Sequence, residues 1–564
     1  MRNLFTHLCF FFLFLAFSVP GFSQNDPDLV VQFANSNTRY RQDFDLANAQ
    51  LPKTWKGTGW KGEKLHTQLL IAAKKDLSSV SIRSTELSGT AGKIPVGQIK
   101  MGTVGYVYAG GFVGCAPADK SEYKDTMAAD MINFASQNVE LKKGVLQPIW
   151  LSIEFPPTAK PGIYHGTVEL ANGQKITKLP YRVEVQDNAL PEPSEWTYHL
   201  DLWQHPAAIA RVENLELWSD AHFKAMGPYY EMLAKAGQKI VTTSIIEEPW
   251  GHQTYDDFPS LIKWTKKANG SWEYNYSLFD QYVDFVMSCG IREQINCYTM
   301  VPWSLNFAYY DEAMKQDTFL NAKPGSAEYT SHWSSFLKDF EQHLKQKGWF
   351  DKTVIAMDER PLEAMKHVLA LVKGLNPKWK VSIAANSANI VEIQDQLFEF
   401  SPAMEFQMKE DMLADRQAKG FKTTFYTCCA ESHPNGFTFS PPAESAFLAW
   451  YAYAKGYDGY LRWAFNSWPE DPMTDSRFKN WSGGDTYQVY PLARTSIRFE
   501  KMIEGIQDYE KLKIIEARLK KVNNTTALNS LADILSTMTV DNVAEKSAEA
   551  LVEKGKAFIL EHSR

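Results

Sequence analysis

The 564-residue sequence has few cysteines, no excess of positive charge and no long apolar run beyond its amino terminus. A net charge of −7 gives no basic footprint, which argues against nucleic acid as the main partner. No later segment reaches the roughly 18 consecutive apolar residues of a membrane helix, so we expect no membrane span. What is left is a globular chain with an ordinary 44% of hydrophobic and 22% of charged residues, rich in aromatic rings.

Cysteine is scarce, with six residues in the chain, and Cys9 lies in the apolar amino-terminal stretch. The other five show no repeating spacing, so the sequence indicates neither a disulfide framework nor a zinc site, and we expect no bound metal. A disulfide between the neighbours Cys428 and Cys429 would be strained. We therefore interpret both as small buried thiols at the end of a strand.

Residues 1–23 have the pattern of a secretory signal peptide. Arg2 supplies the positive charge, the run 8–17 is apolar but too short to span a bilayer, and residues 21–23 offer a cleavage site. No cysteine follows that site, so a lipid anchor is not indicated. We expect a mature chain that starts near Gln24 and is exported to the periplasm or secreted.

Residues 24–190 show the alternation of half-buried strands. Apolar side chains recur at every second position at Val80 and Ile82, at Ile149, Leu151, Ile153 and Phe155, and at Tyr181, Val183 and Val185. Turn signals rich in Gly, Pro and Asn separate these runs, which predicts an N-terminal β-sandwich. The proline-bracketed stretch 190–193 is interpreted as the linker.

After that linker, strand-like runs alternate with amphipathic helical ones, which is typical of a (β/α)8 TIM-type barrel. Eight strands are predicted at 198–204, 239–247, 291–301, 353–358, 380–386, 402–408, 421–428 and 458–466. Helices are predicted between them at 219–236, 277–289, 326–347, 361–373 and 441–455, with a weaker pattern after the fifth and sixth strands. We assign 191–500 to the barrel and 501–564 to a C-terminal helical extension.

The fourth predicted strand ends in two adjacent carboxylates, Asp358 and Glu359. Pro361 and the apolar spacing that follows predict a helix directly afterwards, with Pro361 as its first residue. Both acids therefore lie at the barrel end where such folds carry their chemistry. An ordinary structural explanation competes with a catalytic one, because Asp is a good helix N-cap and a Glu near the start of a helix is stabilised by the helix dipole.

Adjacent carboxylates suit a particular kind of glycoside cleavage. Ordinary glycosidases hold two carboxyl groups about 5 Å or more apart on opposite sides of the bond, whereas consecutive Cα atoms are only about 3.8 Å apart. Both acids can act from one side if Asp358 orients a substrate 2-acetamido group, whose oxygen attacks the anomeric carbon, while Glu359 protonates the leaving oxygen. Like charges this close should push the two pKa values apart. No cofactor is needed.

Other predicted strand ends carry aromatic and polar residues suited to a sugar pocket. The candidate substrate-binding residues are Trp203, His205, Glu248, Tyr298, Asn386, Tyr426, Trp463, Asn466, Trp468 and Asp485. Trp250 and Trp303 lie at similar positions. The Gly-rich segment 481–485 lacks a nucleotide fingerprint and is interpreted as a loop over the barrel mouth, with Asp485 near substrate.

Six segments in order resemble glycoside hydrolase family 123, the β-N-acetylgalactosaminidases: QPIWLSIEFPPTAKPGIYHGTVEL (147–170), LPEPSEWTYHLDLWQHP (190–206), VIAMDERP (354–361), FYTCC (425–429), DGYLRWAFNSW (458–468) and WSGGDTYQVYP (481–491). The resemblance implies a β-sandwich followed by a (β/α)8 barrel. It also implies retaining, substrate-assisted release of terminal β-linked GalNAc from glycans such as those of glycosphingolipids. By the same resemblance, Asp358 orients the acetamide and Glu359 is the general acid/base.

Three alternatives stay open at this point. A β-N-acetylglucosaminidase differs only in the configuration of its substrate at C4. A conventional two-carboxylate glycosidase would pair Glu359 with Glu248 or Asp485. A non-catalytic glycan-binding protein is the third alternative, although a binder has no need of a proton donor beside an acetamide clamp.

Overall fold

The structure of the protein is a computed structural model that describes residues 26–115, 126–478 and 481–563. The expected signal peptide, residues 1–23, lies outside the described residues. A pair of β-sheets comes first along the chain and is followed by a barrel with surrounding helices. Among the described residues, no helix combines the length and apolar character that crossing a bilayer requires.

The amino-terminal part is a sandwich of two sheets. Its strands are β1 (Leu29–Ala34), β2 (Trp55–Lys61), β3 (Lys64–Ala73), β4 (Leu77–Ser84), β5 (Leu87–Gly89), β6 (Gly92–Ile94), β7 (Ile99–Tyr108), β8 (Met127–Asn133), β9 (Asn138–Leu141), β10 (Gln147–Glu154), β11 (Gly162–Asn172) and β12 (Lys175–Ala189). One sheet has the order β1, β3, β10, β7, β8. The other has the order β2, β12, β11, β4, β9, with β5 paired to β11 and β6 to β5.

The inner faces of the two sheets share one apolar core. It contains the side chains that the sequence pattern placed inward, each at most 3% exposed: Val80, Ile82, Ile149, Leu151, Ile153, Phe155, Tyr181, Val183 and Val185. Alternate positions of a strand lie on one face, so this burial follows directly from the period of two. The predicted β-sandwich is confirmed.

The second part holds strands β13 (His199–Leu202), β14 (Ile240–Ser244), β15 (Lys263–Lys266), β16 (Trp272–Asn275), β17 (Gln294–Tyr298), β18 (Asn306–Asp311), β19 (Gln316–Asn321), β20 (Thr353–Met357), β21 (Lys380–Ala385), β22 (Glu399–Pro402), β23 (Lys422–Tyr426) and β24 (Gly459–Arg462). A near-closed parallel barrel runs in the order β13, β24, β23, β22, β21, β20, β17, β14. A bridge between Leu200 and Gln238 joins its two edges. Strands β15, β16, β18 and β19 form a separate small sheet. The predicted barrel is confirmed.

The sixth barrel strand begins earlier than the sequence predicted. The expected range was 402–408, whereas β22 covers Glu399–Pro402 and pairs with β21 and β23. Met404 and Phe406, which lie inside the predicted range, are in a turn in which the Phe406 amide donates to the carbonyl oxygen of Ala403. Pairing goes one residue beyond the strand, as a bridge between Ala403 and Tyr426, before the chain turns away.

The helices are α1 (Pro206–Val212), α2 (Asp220–Lys235), α3 (Ser277–Ser288), α4 (Ala327–Lys347), α5 (Leu362–Leu375), α6 (Glu410–Ala418), α7 (Pro442–Lys455), α8 (Ile497–Lys521), α9 (Thr525–Ser536), α10 (Val540–Lys546) and α11 (Ala548–His562). The five predicted amphipathic segments coincide with α2, α3, α4, α5 and α7 to within two residues. After β21, where the pattern was weak, the chain forms 3₁₀ turns over Ala388–Gln396.

Helix α8 joins the barrel to the sandwich. Directly before it, the short strand β25 (Thr495–Ser496) pairs antiparallel with β8. Buried ion pairs then connect α8 to the sandwich, among them Arg498 with Asp130 and Lys511 with Glu63. Breaking one partner of such a pair leaves an uncompensated buried charge, so these contacts hold the two parts in a fixed arrangement.

A disulfide between Cys115 and Cys429 corrects the expectation that Cys428 and Cys429 are both free thiols. The two half-cystines are 314 residues apart in sequence, and Cys115 follows the sandwich strand β7. Only the folded arrangement brings them together, so spacing along the chain carried no signal for the pair. Among the described residues, Cys289, Cys297 and Cys428 are free.

Close packing between α7 and α8 generates a stability prediction. A Cβ on Gly505 of α8 would lie 2.4 Å from the carbonyl oxygen of Ala446, whereas one on the exposed Gly374 of α5 meets nothing within 4 Å. We predict that Gly505→Ala destabilises the fold by about 1–3 kcal/mol through overpacking. Gly374→Ala should instead stabilise it by up to about 1 kcal/mol. Thermal unfolding followed by circular dichroism gives both Tm values, and an unchanged Tm for Gly505→Ala would contradict the packing.

Candidate active site

The carboxyl ends of the barrel strands surround a cavity of about 380 Å³. This volume falls within the roughly 300–1,000 Å³ of typical small-molecule sites. The inner wall consists of buried side chains, among them Trp203, Trp250, Tyr426, Leu461 and Asp485. The rim is formed by exposed residues, among them Cys115, Trp303, Asn386, Glu405 and Ala430.

Asp358 and Glu359 line this cavity from the turn between β20 and α5. Pro361 is the N-cap residue of α5 and not its first helical residue, so the helix begins one residue later than predicted. In the described chain no side chain caps this helix. Neither of the two acids caps the helix, so the N-cap explanation for Asp358 does not apply. Their place in the sequence is instead explained by the cavity they face.

The carboxyl group of Glu359 is held by two neutral donors. The hydroxyl of Tyr426 donates to its Oε1 at 2.5 Å, and the Nδ2 amide of Asn386 donates to its Oε2 at 2.7 Å. Burial, together with the negative charge of Asp358, raises the pKa of Glu359 to about 7. A carboxyl group with a pKa near neutrality can both give and take a proton at ordinary pH, as general acid–base catalysis requires.

Asp358 has different neighbours. The indole Nε1 of Trp303 donates to its Oδ2 at 3.2 Å, and the guanidinium of Arg360 lies over the Trp303 ring, 3.9 Å from the ring centroid. Burial raises the pKa of Asp358, while the charge of Arg360 and the Trp303 hydrogen bond oppose that rise. Arg360 opposes the rise in the pKa of both acids, and the two differ in their hydrogen-bond donors: Trp303 for Asp358, and Tyr426 and Asn386 for Glu359.

Asp485 presents a second acidic group on the cavity wall. Its Oδ1 accepts hydrogen bonds from Nη2 of Arg462 at 2.7 Å and from Nε1 of Trp463 at 3.4 Å. Its Oδ2 is buried and has no hydrogen-bond partner among the described residues. Buried polar atoms are nearly always hydrogen-bonded, so this unpaired oxygen is a candidate acceptor for a hydrogen bond that the described residues do not supply.

Aromatic rings form much of the remaining surface. Trp203 packs against Trp250 with 5.2 Å between ring centroids, and its Nε1 donates to Oδ2 of Asp201 at 3.2 Å. Trp463 and Trp481 approach edge to face with 5.5 Å between centroids. Such rings offer flat apolar walls for the C–H faces of a sugar. The predicted residues that line the cavity are Asp358, Glu359, Trp203, Asn386, Tyr426, Trp463 and Asp485.

The other five predicted substrate-binding residues, His205, Glu248, Tyr298, Asn466 and Trp468, are not among the described residues that line the cavity. Tyr298 is buried behind Trp203, with 4.6 Å between ring centroids. The indole of Trp468 is fully buried and donates to the carbonyl oxygen of Val489. These two rings lie behind the cavity wall, where they pack against other parts of the barrel.

The three polar members of that group bond to backbone. Asn466 accepts from the amide of His205 and donates to its carbonyl oxygen. His205 stacks on Phe258 with 3.6 Å between ring centroids, and burial lowers its pKa to about 3, which keeps it neutral. Glu248 accepts from the amides of His252 and Phe258. Buried backbone groups in barrel loops need partners, and these side chains supply them.

Glu248 also belongs to a surface cluster with the spacing of a metal site. Its carboxylate, the His252 imidazole and the Asp257 carboxylate lie within 4.8 Å of one another. Nδ1 of His252 is 2.8 Å from Oδ1 of Asp257, so the members bond to each other. A second cluster consists of Cys428 and the Cys115–Cys429 disulfide, in which two of the three sulfurs are already used.

Several cavity residues were missed at the sequence level. Glu405 escaped notice because the misplaced sixth strand put it inside a strand, whereas β22 ends three residues before it. Gln253 lies in the loop after the predicted second strand, a few residues beyond its end, and was not among the candidates. Cys115 comes from the sandwich, and the sequence carried no usable signal for it because its place depends on the contact between the sandwich and the barrel.

The comparisons with known proteins agree with this architecture. Residues 203–515 match the model of the glycoside hydrolase 123 catalytic domain, and residues 33–172 match that of the glycoside hydrolase 123 N-terminal domain. Fold and site thus define a glycoside hydrolase. With more than half of its length matched by the catalytic-domain model, the chain belongs to glycoside hydrolase family 123. No curated protein matches it.

Among solved structures, the chain is similar to a family 123 glycoside hydrolase from Clostridium perfringens studied for glycolipid glycan hydrolysis. The TM-score is 0.84 at 27% identity, and the match covers 94% of this chain and 99% of the other. Other matches are too dissimilar to support a conclusion about fold or function. They include an endo-β-1,4-mannanase from Thermotoga petrophila (TM-score 0.33, 9% identity, 57% and 78% covered) and a GH10 xylanase from termite gut (0.32, 10%, 81% and 100%).

The hydrogen bond from Tyr426 generates a prediction about pH dependence. This bond favours the ionised form of Glu359 and so lowers its pKa. Tyr426→Phe should therefore raise that pKa, and the alkaline limb of the kcat/KM profile for a hydrolysed glycoside should move to higher pH. Tyr457→Phe, which removes a buried hydroxyl bonded to the Met408 amide, serves as the control with an unchanged profile. A limb that stays in place or moves to lower pH in Tyr426→Phe would refute this role.

Proposed function

We propose that the protein is an exo-acting, retaining β-N-acetylgalactosaminidase that uses substrate-assisted catalysis. The observation that carries the proposal is the adjacency of Asp358 and Glu359 at the end of β20, both lining one cavity. Two consecutive carboxylates act from the same side of a bound sugar, so the attacking atom must come from elsewhere. A 2-acetamido group on the substrate supplies that atom.

In the first step, the acetamide N–H donates a hydrogen bond to Asp358, which directs the acetamide oxygen at the anomeric carbon. Glu359 gives its proton to the glycosidic oxygen as the bond to the leaving group breaks, and an oxazolinium ion forms. The ionised Asp358 stabilises its positive charge. In the second step, Glu359 takes a proton from a water molecule, whose oxygen attacks the anomeric carbon and opens the oxazolinium ring. Two inversions give net retention.

The conventional two-carboxylate mechanism finds less support. Glu248 does not line the cavity, and both of its carboxylate oxygens accept bonds from backbone amides. Asp485 does line it, but one of its oxygens is bound to Arg462 at 2.7 Å. We assign the free Oδ2 of Asp485 to a hydroxyl of the terminal sugar instead, with Trp203 and Trp463 as walls for the ring.

The wider context of the substrate follows from the relatives. The Clostridium perfringens enzyme is described for glycolipid glycan hydrolysis, and we extend that substrate class to this chain as glycans with terminal β-linked GalNAc. Export to the periplasm or the medium is part of the same proposal. The disulfide between Cys115 and Cys429 supports it, because structural disulfides persist in oxidising compartments.

A comparison of three aryl glycosides tests the function. We predict hydrolysis of the β-GalNAc substrate with retained configuration, read by NMR of the first product anomer, and negligible hydrolysis of the matching 2-hydroxy β-galactoside, which lacks the internal nucleophile. Equal rates on these two would exclude substrate assistance. Faster cleavage of the β-GlcNAc substrate would move the assignment to a β-N-acetylglucosaminidase, and no cleavage of any glycoside would favour a glycan-binding protein.

Variants of the acid pair accompany that comparison. General acid–base catalysis typically contributes about 10²- to 10⁴-fold, so Glu359→Gln should lower kcat on the β-GalNAc substrate by about 10²-fold or more. Asp358→Asn should be comparably damaging. The control is Glu363→Gln, which changes a solvent-exposed carboxylate on α5 that pairs with Lys366. Turnover of Glu359→Gln equal to that of the control would remove Glu359 from the reaction.

A further inference from the structure

The loop that carries Asp485 contacts the sandwich as well as the barrel. We call residues 481–487 the Asp485 loop. Within it, Ser482 Oγ accepts a hydrogen bond from the amide of Val113 at 3.1 Å. A Cβ on Gly483 would lie 2.4 Å from the carbonyl oxygen of Ala109, so backbone packs directly on backbone there. Both partners belong to the segment that leaves sandwich strand β7, so the sandwich supports this side of the cavity.

Arg498 holds the same loop on both sides of Asp485. Its Nη1 donates to the carbonyl oxygens of Gly484 at 2.9 Å and of Tyr487 at 2.8 Å, and also to that of Gly436 at 2.5 Å. A Cβ on Gly484 would approach Nη1 of Arg498 to 3.0 Å, and its φ of +79° also favours glycine. The guanidinium therefore fixes the backbone from which the Asp485 side chain projects.

Asp130 on sandwich strand β8 fixes the guanidinium in turn. Its Oδ2 accepts from Nε of Arg498 at 3.0 Å and from the hydroxyl of Tyr490 at 2.7 Å. Its Oδ1 accepts from Nη1 of Arg39 at 3.0 Å. The side chains of Asp130 and Arg498 are both 0% exposed. Charge-assisted bonds of this kind are directional, so the carboxylate sets the orientation of the arginine fork.

We propose that Asp130 is a positioning residue for the substrate pocket: through Arg498 it holds the Asp485 loop so that Oδ2 of Asp485 meets a hydroxyl of the terminal sugar. The inference rests on the proposed function, since it assigns that oxygen to the substrate. Asp358 and Glu359 lie in the turn after β20, and the hydrogen bonds described for them do not involve this chain of contacts. Asp130 thus acts on sugar binding without lining the cavity, and binding separates from bond cleavage.

The test is the change Asp130→Asn in the full-length enzyme. Loss of a hydrogen bond to a charged group weakens binding by about tenfold or more. We expect KM for the aryl β-GalNAc substrate, and Ki for free GalNAc, to rise by about that factor while kcat changes less than about threefold. A lower Tm with KM and Ki unchanged would overturn the inference, because it would reduce Asp130 to a stabilising contact.

The matched control is Glu63→Gln. Glu63 forms another buried ion pair between the sandwich and α8, with Nζ of Lys511 at 2.7 Å. Lys511 lies 13 residues beyond Arg498, about 20 Å along the helix at 1.5 Å per residue. We expect Glu63→Gln to lower Tm while KM and Ki stay at the wild-type values. Equal increases of KM in both variants would mean that any weakening of the contact between the sandwich and α8 impairs binding, which contradicts a specific role for Asp130.

A double-mutant cycle shows whether Asp130 acts through Asp485. Asp485→Asn alone should raise KM, and adding Asp130→Asn should raise it little further, because both changes damage one contact. If the increases in KM of the two single variants multiply in the double variant, the two residues act independently and the connection between Asp130 and Asp485 is refuted. If Asp130→Asn does not fold, Tyr490→Phe, which removes one hydrogen bond to Asp130, replaces it in the same comparison. A smaller rise in KM is then expected, and an unchanged KM would contradict the inference. The wild-type substrate comparison settles the proposed function separately, since it leaves Asp130 intact.

Discussion

Two carboxyl groups on consecutive residues of one turn stay on the same side of whatever lies in the cavity. At the end of β20 this constraint applies to Asp358 and Glu359, and neither side chain caps the following helix in the described chain. Their surroundings then divide the work. Glu359 is bonded to a phenol and an amide, while Asp358 lies next to a cation and an indole N–H. We propose that this difference lets Glu359 act as the proton donor while Asp358 holds the acetamido group of a substrate.

The rest of the fold serves this turn by enclosing it. Parallel strands bring their carboxyl ends to one rim, where aromatic rings and Asp485 form the walls of the cavity. The sandwich closes one side through α8, the Asp485 loop and the disulfide between Cys115 and Cys429. We propose that this shared wall ties sugar binding to the contact between the sandwich and the barrel, whereas the acid pair projects from the barrel.

Local patterns predicted the features that are local in origin. The period of two in residues such as Val80 and Ile82 predicted the sandwich core, and the helical spacing after Pro361 predicted α5 to within two residues. The position of the acid pair follows from that strand and that helix. Strand six was misplaced because the apolar residues Met404 and Phe406 lie in a turn and not in a strand.

Contacts between distant parts of the chain left no such pattern. The disulfide joins residues 314 positions apart, and Asp130 reaches Arg498 only across the folded seam. Polar residues at strand ends were also ambiguous, since Asn466 and Asp485 carry equally suitable groups but one bonds to the backbone of His205 and the other faces the cavity. Which oxygen remains unpaired is a property of the folded structure.

A crystal structure of the enzyme with a GalNAc-derived thiazoline, a stable mimic of the cyclised intermediate, tests the one-sided arrangement most directly. The arrangement predicts that the thiazoline nitrogen lies within about 3.2 Å of a carboxylate oxygen of Asp358. It also predicts that Glu359 lies beside the anomeric carbon on the leaving-group side. A bound sugar whose thiazoline ring lies away from residue 358, with another carboxylate on the opposite face from Glu359, would contradict it.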